Sequence, residues 1–309
     1  MSKSSKLTLE NIDLLLIDPD LNMRHSIRNI LHDNGFRNVR LGANIHDIRE
    51  EFSNAMPDLL ISEVALGDGD FCDFIAGLRH GETGSNPFLP VIAVAWTPTQ
   101  DTVRRVIQTG ADDLLSKPLS AGQLLARINA LIRDRKPFCV TSDYIGPDRR
   151  SKEHRDKSPI PLIDVPNTLR AKATGIKDFT NVQSVIDATA AEINLQKLSR
   201  HAAQIRYLVD RLVPSMASGA IDETAKMSLE RLLYIAQDTG RRLTGTRYEH
   251  ISDLCNSLID VTNRILSGGG QAEEKNVNLL RPLSQAIQGG FGQDSEEMAH
   301  EISKTIHKG

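Results

Sequence analysis

Four short, largely apolar runs constrain this chain more than any other feature: IDLLLI (12–17), DLLIS (58–62), VIAVA (91–95) and DLLS (113–116). Between them the apolar residues step by three and four. They do so at Met23, Ile27, Ile30 and Leu31, at Phe71, Phe74, Ile75 and Leu78, at Val103, Val106 and Ile107, and at Leu124, Leu125, Ile128 and Leu131. A strand that is apolar on both faces must be covered on both faces, and alternation with helices achieves this in a parallel sheet. RNVRLG (37–42) supplies a weaker second strand. The pattern therefore predicts a doubly wound α/β unit with a five-stranded parallel sheet, over about residues 10–135 of a first domain taken as 1–135. Ser120 followed by Gln123 is a capping-box start for the last helix of that unit.

From residue 136 to about 180 the periodicity fails. Pro137, Pro147, Pro159, Pro161 and Pro166 flank a charge-rich tract, GPDRRSKEHRDKS, whose composition reads as a solvated linker. Its Arg149, Arg150, Lys152, Arg155 and Lys157 form a mildly basic cluster offset by Asp148, Glu153 and Asp156. Beyond it, residues 181–309 read as an all-α helical bundle or interaction domain. Leu195, Leu198, Ala202, Ile205, Val209 and Leu212 make one apolar seam, and Ile251, Leu254, Leu258, Val261 and Ile265 another. A third helix is expected over 223–237 and a short last one over 295–306. Leu198, Ile205, Leu212, Leu254, Leu258 and Val261 are the candidate interaction positions: such seams pair with each other, with a second copy or with a partner helix.

The chain of 309 residues has room for about two domains. Its net charge of −3 gives no global attraction to nucleic acid or anionic lipid. Cys72, Cys139 and Cys255 are odd in number and lack metal-ligand spacing, which predicts reduced thiols. No run approaches about 18 apolar residues, and the stretch at 12–17 is too short for a signal-peptide core. The expectation is a cytoplasmic protein that does not enter a membrane.

In a doubly wound sheet, ligands sit beyond the carboxyl ends of the strands. Those ends are Asp18, Glu63, Ala95 and Lys117. An acid after strand one, an acid after strand three and Lys117-Pro118 after strand five, preceded by GADDLLS, resemble the CheY-like receiver domain of bacterial response regulators. The resemblance implies a phosphoacceptor after strand three, an acidic pair for magnesium after strand one, a hydroxyl after strand four, an aromatic residue in strand five and the lysine. Here those positions hold Glu63, Asp18 with Pro19, Ala95, Leu114 and Lys117. Asp18, Lys117, Pro118 and Asp70, which starts the next helix, follow the pattern; Glu63, Pro19, Ala95 and Leu114 depart from it. DYIGPDRR (143–150) is similar to a tract that follows receiver domains in some bacterial relatives.

Each departure has a physical consequence. One extra methylene moves a carboxylate by more than about 1 Å, enough to cost about 100-fold in an in-line transfer. Pro19 brings no side-chain oxygen to magnesium, which demands directed ligands, so any metal site on Asp18 is weakened. Asp20 reads as the N-cap of the following helix. Two readings of Glu63 stay open: a fixed anion that reaches Lys117 and locks the domain, or a carboxylate solvated at a loop edge. His201 reads as a polar flank position on its helix rather than a phosphotransfer histidine.

The resulting expectation is a non-enzymatic signalling protein of the response-regulator class, acting through protein contacts without phosphorylation at position 63 and without a resident cofactor. Two alternatives are a working magnesium-dependent phosphorelay member, with Asp68 or Asp70 as acceptor, and a nucleic-acid-binding output protein. The partners implied are other signalling proteins, a histidine kinase or a second response regulator among them, and a second copy of the chain.

Overall fold

The computed structural model describes residues 7–151, 153, 160–175, 181–216 and 219–291. It divides into two units, residues 1–192 and 193–309. The first is built on five parallel strands, β1 (Asp13–Ile17), β2 (Asn38–Gly42), β3 (Leu59–Glu63), β4 (Val91–Trp96) and β5 (Asp113–Lys117), in the order β2-β1-β3-β4-β5. Between and after them run α1 (Leu21–Asp33), α2 (Ile45–Asn54), α3 (Phe71–Arg79), α4 (Gln100–Gln108) and α5 (Ala121–Asp134). This is the fold the apolar pattern predicts.

The continuous apolar runs have a plain cause. Leu14 and Leu16 of β1 pack with α1 and α5, while Leu15 and Ile17 pack with α2 and α3, so successive residues feed two cores. Helix starts are fixed locally: the side chains of Asp20, Asn44, Asp70, Thr99 and Ser120 each accept a backbone N–H of the first turn. Ser120 and Gln123 form the full capping box.

The expected linker is the main correction. Phe138–Val140 (β6) pairs antiparallel with Ile145–Pro147 (β7) and with Leu162–Ile163 (β8). Thr168–Ala173 forms a short helix, α6, whose Leu169 and Ala173 join the core beneath α1 and α5. Composition concealed this because most of the apolar surface comes from the receiver. Phe138 is fully buried, edge-on to Phe88 at 5.9 Å and faced by the guanidinium groups of Arg79 and Arg135 at 5.3 and 5.1 Å. The basic cluster is likewise partly committed: Arg149 Nη2 donates to the carbonyls of Ala111 and Asp112, and Arg150 pairs with Asp148 at 2.8 Å. Lys152, Arg155 and Lys157 lie outside the described residues.

The ends of the strands opposite the Lys117 end carry aspartates that this returning chain helps to satisfy. Asp58 accepts the N–H of Asp13 at 2.8 Å and lies 2.7 Å from Lys172 of α6. Asp112 binds Arg79 at 3.0 Å and Arg135 at 2.7 Å, and accepts the N–H of Val91. Asn167, which caps α6, also donates to the carbonyl of Leu131.

The second unit contains most of α7 (Val182–Ser215), the helix in which the division falls, together with α8 (Glu223–Leu243), α9 (Ser252–Ser267) and α10 (Glu274–Gly290). Leu198, Ile205, Leu212, Leu254, Leu258 and Val261 are at most 2% exposed and form one core with α8 and α10. Of the pairings open to these seams, these six side chains take the one with each other inside the unit, and Leu195 at the head of the first seam lies outside that core. Pro282 within α10 hid that helix from a periodicity reading. The helix expected over 295–306 lies outside the described residues. Among the described residues no helix is long and apolar enough to cross a membrane.

His201 is also a correction, because it is fully buried rather than flanking. Its ring lies 3.6 Å from Asp238 and 3.3 Å from the Thr239 hydroxyl of α8. Burial alone would raise the Asp238 carboxyl, but Arg242, Arg241 and His201 overcome it and hold the group down at about 2. A depressed carboxylate stabilises the fold above its unfolded pKa, and that contribution is lost as pH falls through the folded value. A shift of roughly two units corresponds to about 2–3 kcal/mol. Urea unfolding followed by helical circular dichroism is therefore expected to show this loss between about pH 5 and pH 2 in the wild type and a flatter pH slope in Asp238→Asn. Equal slopes in the two proteins would contradict the assignment.

Candidate receiver pocket

Three parallel strands deliver the polar side chains to one cleft. Asp18 follows β1, Glu63 ends β3 and Lys117 ends β5, and all three are at most 4% exposed. Lys117 Nζ lies 2.5 Å from Asp18 Oδ2 and 2.5 Å from Glu63 Oε2. The Asp18 contact is a hydrogen bond, whereas Glu63 Oε2 has no hydrogen-bond partner, so its close contact with the ammonium is an ion pair outside hydrogen-bond alignment. Glu63 Oε1 accepts the backbone N–H of Val64 at 2.9 Å and of Ala65 at 3.2 Å. The longer glutamate arm thus folds back onto its own loop with one oxygen and meets Lys117 with the other. The reading of Glu63 as a solvated loop-edge carboxylate is overturned by its burial.

Asp18 is equally committed. Its Oδ1 accepts the N–H of Asp20 at 3.0 Å, and Arg24 donates to the carbonyls of Asp18 and Pro19. Asp20 caps α1 through the N–H groups of Asn22 and Met23, as expected. Asp68 points away, accepting the N–H groups of Ile45 and His46 at the start of α2. Asp70 caps α3 and pairs with Arg105 at 2.5 Å. Those hydrogen bonds, with Arg105 beside Asp70, hold both carboxyls below their ordinary range against the opposing effect of burial.

Ala95 is buried at the end of β4 and presents only a methyl group, and Pro118 follows Lys117 through a cis peptide. Leu114 packs against the core on the side of α2 and α3. Four cleft residues escaped the sequence reading: Val64 and Ala65, which enter through their backbone amides, and Thr102 and Trp96. Trp96 is 55% exposed, with Lys117 Nζ 5.4 Å from the centre of its ring. The signal was available: the chain's single tryptophan stands where an otherwise buried strand ends.

The cleft has a volume of about 330 Å³. Asp18, Asp20 and Glu63 line the cleft with Lys117, whose ammonium contacts Asp18 and Glu63, so carboxylates outnumber cations there. These residues do not fit an octahedral magnesium ion as they stand. Both oxygens of Asp18 are engaged, Glu63 Oε1 is taken by two amides while its Oε2 lies against the Lys117 ammonium, Asp20 Oδ1 caps its helix, and Pro19 offers no side-chain oxygen.

Comparison with known proteins agrees with the geometry. Residues 14–129 match the family model described as the response regulator receiver domain. A probable transcriptional regulatory protein of Sinorhizobium fredii is 35% identical over 121 residues, covering 38% of this chain and 50% of that protein. Response regulator Rre1 of Synechocystis is 29% identical over 235 residues, 75% of this chain and 98% of the relative. The phosphate regulon transcriptional regulatory protein PhoB of Escherichia coli is 27% identical, with 41% of this chain and 54% of PhoB covered. The chain thus spans about half the length of the first and third of these relatives. The strand order, the acid–lysine cluster at the ends of β1, β3 and β5, and the family match converge: residues 14–129 are a response regulator receiver domain of the CheY-like fold.

Proposed function

We propose that this chain is a two-component signalling protein whose receiver is held in one arrangement by Glu63 and acts through protein contacts, not through phosphorylation at that position. The observation that carries this reading is the Glu63 carboxylate itself, buried, on Lys117 with one oxygen and on the amides of Val64 and Ala65 with the other. In the receiver family an incoming phosphoryl group would need the lysine and the loop amides; here a side chain of the protein already engages them. A single carboxylate carries less charge than the roughly −1.5 to −2 of a phosphoryl group, so the reading is of a fixed state and not of a permanent phosphoryl mimic. The partners it implies are other signalling proteins, including a histidine kinase, a second response regulator or a second copy. Two relatives bear names of transcriptional regulators. Nucleic-acid output through the basic cluster is the weaker reading, because Arg149 and Arg150 are already engaged within the chain.

Intact mass spectrometry after incubation with acetyl phosphate and magnesium tests this. The wild type is expected to gain no phosphoryl adduct. Glu63→Asp combined with Pro19→Asp and Ala95→Thr, which rebuilds the acceptor, the second acid and the hydroxyl, is expected to gain one. An adduct on the wild type, whether at Glu63, Asp68 or Asp70, would sink the proposal.

A further inference from the structure

The tract DYIGPDRR (143–150) takes no part in the cleft, yet its backbone lies closer to the receiver than side chains would permit. Gly110, between α4 and β5, has φ +83°, and a Cβ there would stand 2.3 Å from the carbonyl oxygen of Ile145 and 3.3 Å from Gly146 Cα. A Cβ on Gly146 would stand 2.6 Å from Gly110 Cα. The two segments meet at this distance only because both residues are glycine. Arg149 then reaches across, its Nη2 2.5 Å from the carbonyl oxygen of Ala111 and 3.1 Å from that of Asp112. From the other side Arg79 Nε donates to the carbonyl of Gly110 at 2.9 Å. Tyr144 braces the hairpin, its hydroxyl donating to the Pro147 carbonyl at 2.8 Å. Residues 110–112, which lead into β5, are therefore gripped by the β6–β7 hairpin and by α3 together.

The grip matters because β5 is the edge strand of the parallel sheet, hydrogen-bonded to β4 alone. An edge strand has half the register-defining contacts of an inner one, and a slip of one residue turns every side chain to the other face. Five residues after the lead-in, about 17 Å along the strand, stands Lys117, which must meet both Asp18 and Glu63. We propose that the β6–β7 hairpin is a clamp on the start of β5 that positions Lys117 in the cleft at the strand's far end. Arg149 and the paired glycines Gly110 and Gly146 are its contact points. Its partner is the receiver of the same chain, and its role is distinct from the chemistry at position 63.

The test uses the full chain with Arg149→Ala and Gly146→Ala. Arg149 is solvent-exposed beyond its contacts with the carbonyls of Ala111 and Asp112 and with the Tyr144 side chain, and its truncation introduces no clash. Hydrogen exchange followed by mass spectrometry is read at peptides covering 113–119 and 63–66, with Trp96 emission as a reporter beside Lys117. The expected result is faster exchange in both peptides and a shifted Trp96 emission. Faster exchange confined to 138–150, with 113–119 and Trp96 as in the wild type, would overturn the proposal. An Arg149→Ala protein identical to wild type throughout would do the same. Should Gly146→Ala fail to fold, Arg149→Ala decides alone.

Discussion

Replacing Lys117 by methionine is expected to cost the receiver unit about 3–5 kcal/mol, because the change leaves Asp18 and Glu63 buried without their shared cation. An exposed ion pair is worth about 0–1 kcal/mol, so the size of the loss separates a buried triad from a screened one. Urea unfolding monitored at Trp96 measures it directly. The double variant Lys117→Met/Glu63→Gln is expected to recover part of the loss, since the amide removes one of the two opposed charges and still accepts from Val64 and Ala65. A Lys117→Met protein within about 1 kcal/mol of wild type would show that the two carboxylates do not depend on the ammonium, and the account of Glu63 as a held anion would fail with it.

The second large effect is expected far from the cleft. Asp112 lies with its side chain 1% exposed between Arg79 and Arg135, and it accepts the N–H of Val91 as well. Burial pulls the Arg79 guanidinium down to about 10 even with Asp112 acting to hold it up. Asp112→Ala strands two buried cations and one backbone donor, with an expected loss of about 3–5 kcal/mol. Asp112→Asn retains an acceptor for Val91 and a dipole for the guanidinium groups, and is expected to lose less. Chemical denaturation of both variants checks the order; an alanine variant no worse than the asparagine one would show that the charge on Asp112 contributes nothing. Phe138 offers a third view of the same site, since its ring packs on the two arginines that Asp112 neutralises.

The parts of the fold that were legible in the sequence are those governed by local periodicity. The runs at 12–17, 58–62, 91–95 and 113–116 read as doubly covered strands because the consecutive apolar residues within them face both sides of the sheet. The positions of Asp18, Glu63, Ala95 and Lys117 followed from that reading, since strand ends fix where side chains converge. That Glu63 is buried on Lys117 was one of two open readings, for a sequence does not say whether a loop folds inward. The segment 137–175 was misread for a related reason: its strands are two or three residues long and rest on Phe88, Arg79 and Arg135, and its short helix rests on Asp58, all supplied by another part of the chain. Periodicity cannot register a surface that is supplied from elsewhere. His201 and α10 failed for opposite causes, one a polar residue with buried partners, the other a helix interrupted by Pro282.

The return of residues 137–175 onto the receiver bears on how such a protein can be recombined with others. A hybrid joined directly after α5 keeps every strand of the parallel sheet, and by the family match alone it would be judged intact. It would nevertheless lose the ring between Arg79 and Arg135, the lysine on Asp58 and the two apolar side chains beneath α1 and α5. The transferable piece reaches at least through Gly175 and does not stop at the fifth helix, and a chimaera cut at the earlier point would inherit the exposed faces of a missing neighbour.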